Sequence, residues 1–154
     1  MQVELNKYTD EINKSKYSVH ELLTLASIVE LEGKNLSDRE KIAGVFYNRL
    51  NDGMDLGSCV TTYYAVGKVM GKDELYNSDI SKVNPYNTRA SGMAGKLPVG
   101  PISNPGAESI KVVMQPKETK YYYFLNDTSG KLYFSVTIDE HDNKISKLTK
   151  EGKF

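Results

Sequence analysis

The sequence has little of what staples small folds together. Its single cysteine, Cys59, has no partner for an internal disulfide, and with only His20 and His141 there is no His/Cys set for a zinc module. Tryptophan is absent, so the aromatic content falls on 11 Tyr and 4 Phe. Neither sign of charge is in excess: 20 Lys and Arg face 20 Asp and Glu. That argues against nucleic acid as the main ligand, because a polyanion demands a basic face. No apolar run approaches the ~18 residues that span a bilayer, and no signal peptide is visible. A phosphate-binding glycine loop followed by Lys-Ser/Thr is missing too, and Gly92-Met93-Ala94-Gly95 is too weak a match to count.

What is present suffices for one folded domain. Of 154 residues, 39% are apolar and 26% charged, which fits neither a disordered nor a membrane-embedded chain. A chain of this length buries roughly two-thirds of its unfolded surface. Residues 1–17 are polar, lack a strong period, and read as a linker or the tail of an upstream segment; residues 18–154 read as the domain proper. Ser18-Val19-His20-Glu21 has the spacing of a capping box. The run Leu22 to Val29 that follows is apolar nearly all round, the mark of a buried helix, and Gly33-Lys34 ends it. Ser37-Asp38-Arg39-Glu40 predicts a second capping box. Ile42, Val45, Phe46, Arg49 and Leu50 then form one helical stripe that stops at Asn51-Asp52-Gly53, completing a helical hairpin.

Val60 to Met70 reads as either a short helix or a strand. From about Lys72 to Gly106 the chain is rich in Gly, Pro, Asn and Ser, and so long an irregular stretch in a compact domain is often functional. Asn104-Pro105-Gly106-Ala107 opens a helix that Pro116 closes, with Ile110, Val113 and Met114 on one side. Tyr121 to Leu125 and Leu132 to Val136 predict the two strands of a hairpin turning at Asn126 to Gly130. A last short helix from about Ile138 carries His141, and Lys144, Lys147, Lys150 and Lys153 read as a solvated tail. The fold class is therefore α+β: a helical hairpin and further helices on a small antiparallel β-hairpin, with a long irregular loop walling a cleft.

Glu30 is the first candidate for chemistry. It ends an almost wholly apolar helix, and a carboxyl among apolar groups ionises with difficulty, so its pKa is expected to rise as a general acid requires. A solvent-facing Glu30 is the plain alternative. Glu32 competes with it: two helical residues are rotated by roughly 200°, so the two carboxylates point apart and cannot flank one bond. Helical geometry alone does not say which faces a cleft. Cys59 with His141 as base would make a nucleophile pair, but a lone buried thiol is commoner, and His20 reads as a surface residue. Tyrosines near the long loop can stack on sugar rings, though Tyr is also ordinary core material.

Five blocks occur in a telling order: Leu25-Ala26-Ser27-Ile28-Val29-Glu30, Val45-Phe46-Tyr47-Asn48-Arg49-Leu50, Tyr86-Asn87-Thr88, Leu97 to Gly106, and Tyr122-Tyr123-Phe124 with Phe134. From about Ser18 to His141 the chain resembles the catalytic domain of the YceG-like (MltG-type) endolytic murein transglycosylases. The resemblance implies a membrane-anchored bacterial enzyme, at the extracytoplasmic face, that cuts nascent peptidoglycan between MurNAc and GlcNAc and leaves 1,6-anhydro ends. It places the catalytic glutamate on Glu30 and makes Asn48, Tyr86, Asn87, Thr88 and Asn104 candidates for holding the substrate. It implies no cofactor or metal, peptidoglycan strands and wall-synthesis proteins as partners, and an N-terminal anchor and LysM-like subdomain outside this chain. The family's acidic-proline pair is replaced by Cys59-Val60, its tyrosine after Tyr-Asn-Thr by Arg89, and residues 90–96 are extra loop. A glycan-binding module that no longer cuts, or a domain that docks wall-synthesis partners, are the alternative classes.

Overall fold

Ser18 starts the helix around which the rest is arranged. Its hydroxyl accepts from the Glu21 N–H at 3.2 Å while the Glu21 carboxylate accepts from the Ser18 N–H at 2.9 Å, so both halves of the predicted capping box are made. The computed structural model describes residues 1–154, and this helix, α3, spans Val19–Glu32 after two short helices, α1 (Gln2–Asn6) and α2 (Thr9–Lys14). The polar first seventeen residues are thus partly helical, and Tyr8 is buried in the core with Leu5, Ile12 and Tyr17 packed against it.

Leu22 and every residue from Thr24 to Val29 are buried, which is why this helix reads as apolar on all faces. Its two polar members are satisfied locally: Thr24 Oγ1 donates to the His20 carbonyl at 2.7 Å and Ser27 Oγ to that of Thr24 at 2.6 Å.

The second helix of the hairpin, α4 (Leu36–Asn51), is capped two residues earlier than its sequence suggests. Asn35, in an extended conformation, accepts from the Asp38 N–H at 2.9 Å, and Ser37 falls inside the first turn. Asparagine caps as well as serine does, so the predicted box at Ser37-Glu40 gives way to it. Ile42, Val45, Phe46 and Leu50 are buried as the stripe requires. Next come α5 (Cys59–Val66), which resolves the helix-or-strand ambiguity in favour of helix, and the four-residue α6 (Asn77–Ile80). Helix α7 (Ala107–Met114) buries Ile110, Val113 and Met114 against α3 and α4.

Strands β1 (Tyr123–Asn126) and β2 (Leu132–Ser135) pair antiparallel, Phe124 opposite Phe134. Phe46, Phe124 and Phe134 then form a chain of ring contacts from α4 into the sheet, at 5.8 and 6.2 Å. The last helix, α8 (Ile138–Lys150), is thirteen residues long and packs across the hairpin. Lys144, Lys147 and Lys150 lie on it rather than in a tail; Lys144 donates to the Phe134 carbonyl. The architecture is α+β, and none of its helices is long and apolar enough to cross a membrane.

Candidate active site

The two carboxyls at the end of α3 meet opposite fates. Glu30 turns towards the start of α7, where its Oε2 accepts from the Ser109 hydroxyl at 2.5 Å and the Gly106 N–H at 3.1 Å. Its Oε1 lies 3.5 Å from Arg39 Nη2, and Arg39 Nη1 reaches Glu108 at 2.8 Å. Gly33 makes this possible, since a Cβ there would stand 2.6 Å from Arg39 Cγ. Burial pushes the Glu30 carboxyl up, but the Ser109 hydroxyl, the Gly106 N–H and the Arg39 guanidinium outweigh it and hold the pKa below the usual carboxylate value. The expectation of a raised pKa at Glu30 is therefore corrected. Its apolar neighbours in sequence are not its neighbours in space.

Glu32, rotated to the other side, carries the raised carboxyl. Burial is the dominant cause, only partly offset by the Ser58 hydroxyl and the Val60 N–H. Ser58 Oγ donates to Glu32 Oε1 at 2.6 Å. Ser58 occupies the N-cap of α5, yet its hydroxyl makes no cap bond, being committed to Glu32 instead. Its backbone is fixed from below: the Ser58 N–H donates to Thr88 Oγ1 at 3.0 Å and Thr61 Oγ1 donates to the Ser58 carbonyl at 2.7 Å.

Glu32 forms part of the wall of a cleft of about 640 Å³ between the start of α5, the β-hairpin and α8. Arg49, Ser58, Cys59, Arg89 and His141 join it, against an apolar floor that includes Val60 and Phe124. Glu30 is not among the residues lining it. A second hollow of about 370 Å³ lies between Tyr17, Tyr47 and Met114.

The other predicted site residues mostly serve the interior. Asn87 is fully buried; it accepts from Thr62 Oγ1 at 2.7 Å and donates to the carbonyls of Asp79, Ile80 and Lys82. Thr88 is fully buried in the Ser58–Thr61 network. Neither has a polar atom left for a sugar, so the expected contacts are corrected to an organising role within the 72–106 loop. Asn48 donates to the carbonyls of Thr119 and Tyr121, at 2.8 and 2.9 Å, and leads the chain into the hairpin. Tyr86 packs against Tyr64, 4.9 Å between rings, and Asn104 is exposed near the Glu30 bracket. From the long loop, only Ile80 and Arg89 reach the cleft. His20 holds that loop from outside, its Nε2 being 2.7 Å from the Val99 carbonyl oxygen.

Two residues of the cleft are not read as site residues in the sequence. Arg49 is a charge inside an apolar helical stripe, and that misfit was the available signal. Ser58 had none, because its partner Glu32 is 26 positions away. No group of three or more His, Cys, Asp or Glu side chains is placed to hold a metal ion.

The family model of YceG-like proteins matches residues 1–147. The chain belongs to the YceG-like family. It is similar to the endolytic murein transglycosylase of Bacillus subtilis, 42% identical over 140 residues, which are 91% of this chain and 38% of that protein. The Streptococcus pneumoniae endolytic murein transglycosylase is 35% identical over 153 residues, 96% of this chain and 27% of that protein. The crystal structure of a yceG-like protein from Listeria monocytogenes superposes with a TM-score of 0.82 at 43% identity, covering 92% of this chain and 45% of that one. The chain thus spans less than half the length of these relatives. In this YceG-like chain the two departures from the motif pattern meet: Arg89 Nη1 lies 2.8 Å from Cys59 Sγ at the edge of the cleft.

Proposed function

We propose that this chain is the catalytic part of an endolytic murein transglycosylase, with Glu32 as its single acid and base. The observation that carries the reading is the contrast between the two glutamates: Glu32 is raised by burial on the wall of a 640 Å³ cleft, while Glu30 is ion-paired away from it. The motif resemblance puts the catalytic role on Glu30, but a general acid must hold its proton near neutral pH, and the bracket around Glu30 favours the ionised form.

The glycan strand lies in the cleft with the MurNAc–GlcNAc β-1,4 bond over Glu32. The protonated carboxyl donates to the glycosidic oxygen as the C1–O bond breaks and positive charge develops at MurNAc C1. The resulting carboxylate then takes the proton of the same sugar's C6 hydroxyl, O6 closes on C1, and a 1,6-anhydro ring forms. No water is consumed, so a second carboxylate to activate one is unnecessary, unlike the two-acid glycosidases. Attack from within the same ring gains from proximity. One acid–base group contributes about 10²–10⁴ in rate; the apolar floor excludes water and strengthens the remaining electrostatics. Such a substrate places the activity outside the cytoplasmic membrane, beside the proteins that build the wall. Residues 18–154 contain every group this reading uses.

The test is a pair of variants incubated with peptidoglycan and analysed by mass spectrometry. Glu32→Gln is expected to fold and release no anhydro-terminated glycans, whereas Glu30→Gln keeps activity in proportion to its folded fraction. The reverse pattern would return the acid to Glu30. Products carrying reducing ends, heavier by one water, would make the chain a hydrolase, and binding of strands without product would make it a non-cutting module.

A further inference from the structure

Arg49 presents a physical imbalance. It is a partly buried cation that forms no ion pair with any carboxylate, and buried charges are ordinarily paired. Its Nε donates to the Tyr122 carbonyl at 2.7 Å and its Nη1 to those of Asp55 and Leu56 at 3.1 and 3.5 Å. Neutral carbonyls fix the plane of the guanidinium but leave its charge without an ion-pair partner. Nη2 has no partner in the protein and is not enclosed.

His141 is near enough to feel the Arg49 charge. Both pack on the Tyr123 ring, the Arg49 guanidinium 4.9 Å and the imidazole 5.3 Å from its centroid, and all three line the cleft that holds Glu32. The His141 Nδ1 is buried without a partner, so nothing in the protein holds a proton there, and the unenclosed Nε2 is left to carry it. Asp55 and Asp142 are near enough to act on this pair electrostatically, but neither is within ion-pairing reach.

We propose that Arg49 Nη2 and His141 Nε2 form a subsite for a carboxylate carried by the substrate, seated against the Tyr123 ring in the same cleft as Glu32. Two N–H donors without partners in the protein, one of them on a cation that lacks an ion-pair partner, match a planar anion held by charge-assisted hydrogen bonds. The proposal rests on the murein reading, which supplies two sources of that anion: the free 3-O-lactyl group of a peptide-free MurNAc, or a carboxylate of the stem peptide amide-linked to it. A neutral glycan such as a chitin oligosaccharide has neither. The subsite therefore makes the enzyme selective for the acidic sugar and fixes which of the two alternating β-1,4 bonds lies over Glu32.

The experiment titrates soluble glycan fragments into the Glu32→Gln protein by calorimetry, so that binding is read without turnover. Peptide-bearing and peptide-stripped fragments are each used untreated and with their carboxylates converted to methylamides. Amidation is expected to weaken binding about tenfold or more, the range of a hydrogen bond to a charged group, in at least one of the two pairs. Loss in the peptide-bearing pair identifies the stem peptide, and loss in the stripped pair the lactyl group. Adding Arg49→Gln, or His141→Phe, which keeps the ring on Tyr123, brings the untreated-to-amidated ratio towards one. A variant that is merely damaged weakens both forms alike and keeps the ratio. Indifference to amidation in both pairs, absence of binding to any fragment, or a ratio unchanged in both variants overturns the subsite. Absence of anhydro products from the unsubstituted protein would overturn the transglycosylase reading separately, leaving the binding result to stand.

Discussion

Replacing Ser58 by alanine tests how the proton on Glu32 is held. The hydroxyl donates to Glu32 Oε1 at 2.6 Å and is buried with Ser58, whose exposure is 3%. That bond favours the ionised carboxylate, opposing the burial that dominates at this site. A hydrogen bond to a charged group is worth about 1.5–3 kcal/mol, and one pKa unit corresponds to about 1.4 kcal/mol. Its loss therefore raises the Glu32 pKa by about one to two units. The acid must be protonated to act, so the alkaline limb of the kcat profile moves up by the same amount. The Ser58 backbone bonds to Thr88 and Thr61 are untouched by the change, so the start of α5 stays in place. The assay is release of anhydro-terminated glycans across pH, with a ¹³C titration of the Glu32 carboxyl alongside. An alkaline limb that stays put, or moves to lower pH, would refute both the assignment of Glu32 and the account of its pKa.

Other outcomes follow from the same geometry. The lowered pKa of Glu30 means that its bracket contributes stability above the ordinary carboxylate value and that the contribution is lost as pH falls through the folded pKa. Glu30→Gln should thus cost on the order of 1–3 kcal/mol at neutral pH and progressively less in acid, measured by urea denaturation at several pH values; a cost independent of pH would contradict this. Glu32, raised in the fold, acts the other way: stability falls as pH rises from the usual carboxylate value through the folded pKa. Glu32→Gln should therefore raise the melting temperature at neutral pH relative to acid, as calorimetry can show. Asn87→Ala leaves the carbonyls of Asp79, Ile80 and Lys82 without their shared donor. Hydrogen exchange in residues 79–90 should speed up while α3 stays protected, and uniform protection throughout would show that Asn87 is dispensable.

The long loop shows where local reading stopped. Its Gly, Pro and Asn content announced irregular backbone, and its residues outside α6 are irregular. Nothing in Tyr86-Asn87-Thr88 itself distinguishes a residue that offers its amide to a ligand from one that spends it on three carbonyls within eight positions. Likewise Asn35 and Ser37 were both chemically able to cap α4, and the path of the chain out of α3 chose Asn35. The first seventeen residues lack a period because their helices are a turn or so long, too short to display one, yet Tyr8 still finds the core.

Sequence alone settled what depends on neighbours along the chain. The capping box at Ser18, the buried run to Val29, the stripe on α4 and the aromatic hairpin each express a period of 3.6 or 2, complete within about a dozen residues. The ionisation of the two glutamates was decided by tertiary structure. Glu30 takes its hydrogen-bond donors from residues 76 and 79 positions on, and Glu32 takes the Ser58 hydroxyl from 26 positions on. A pKa is set by burial and by charges and donors within a few ångströms, and the fold alone brings these together.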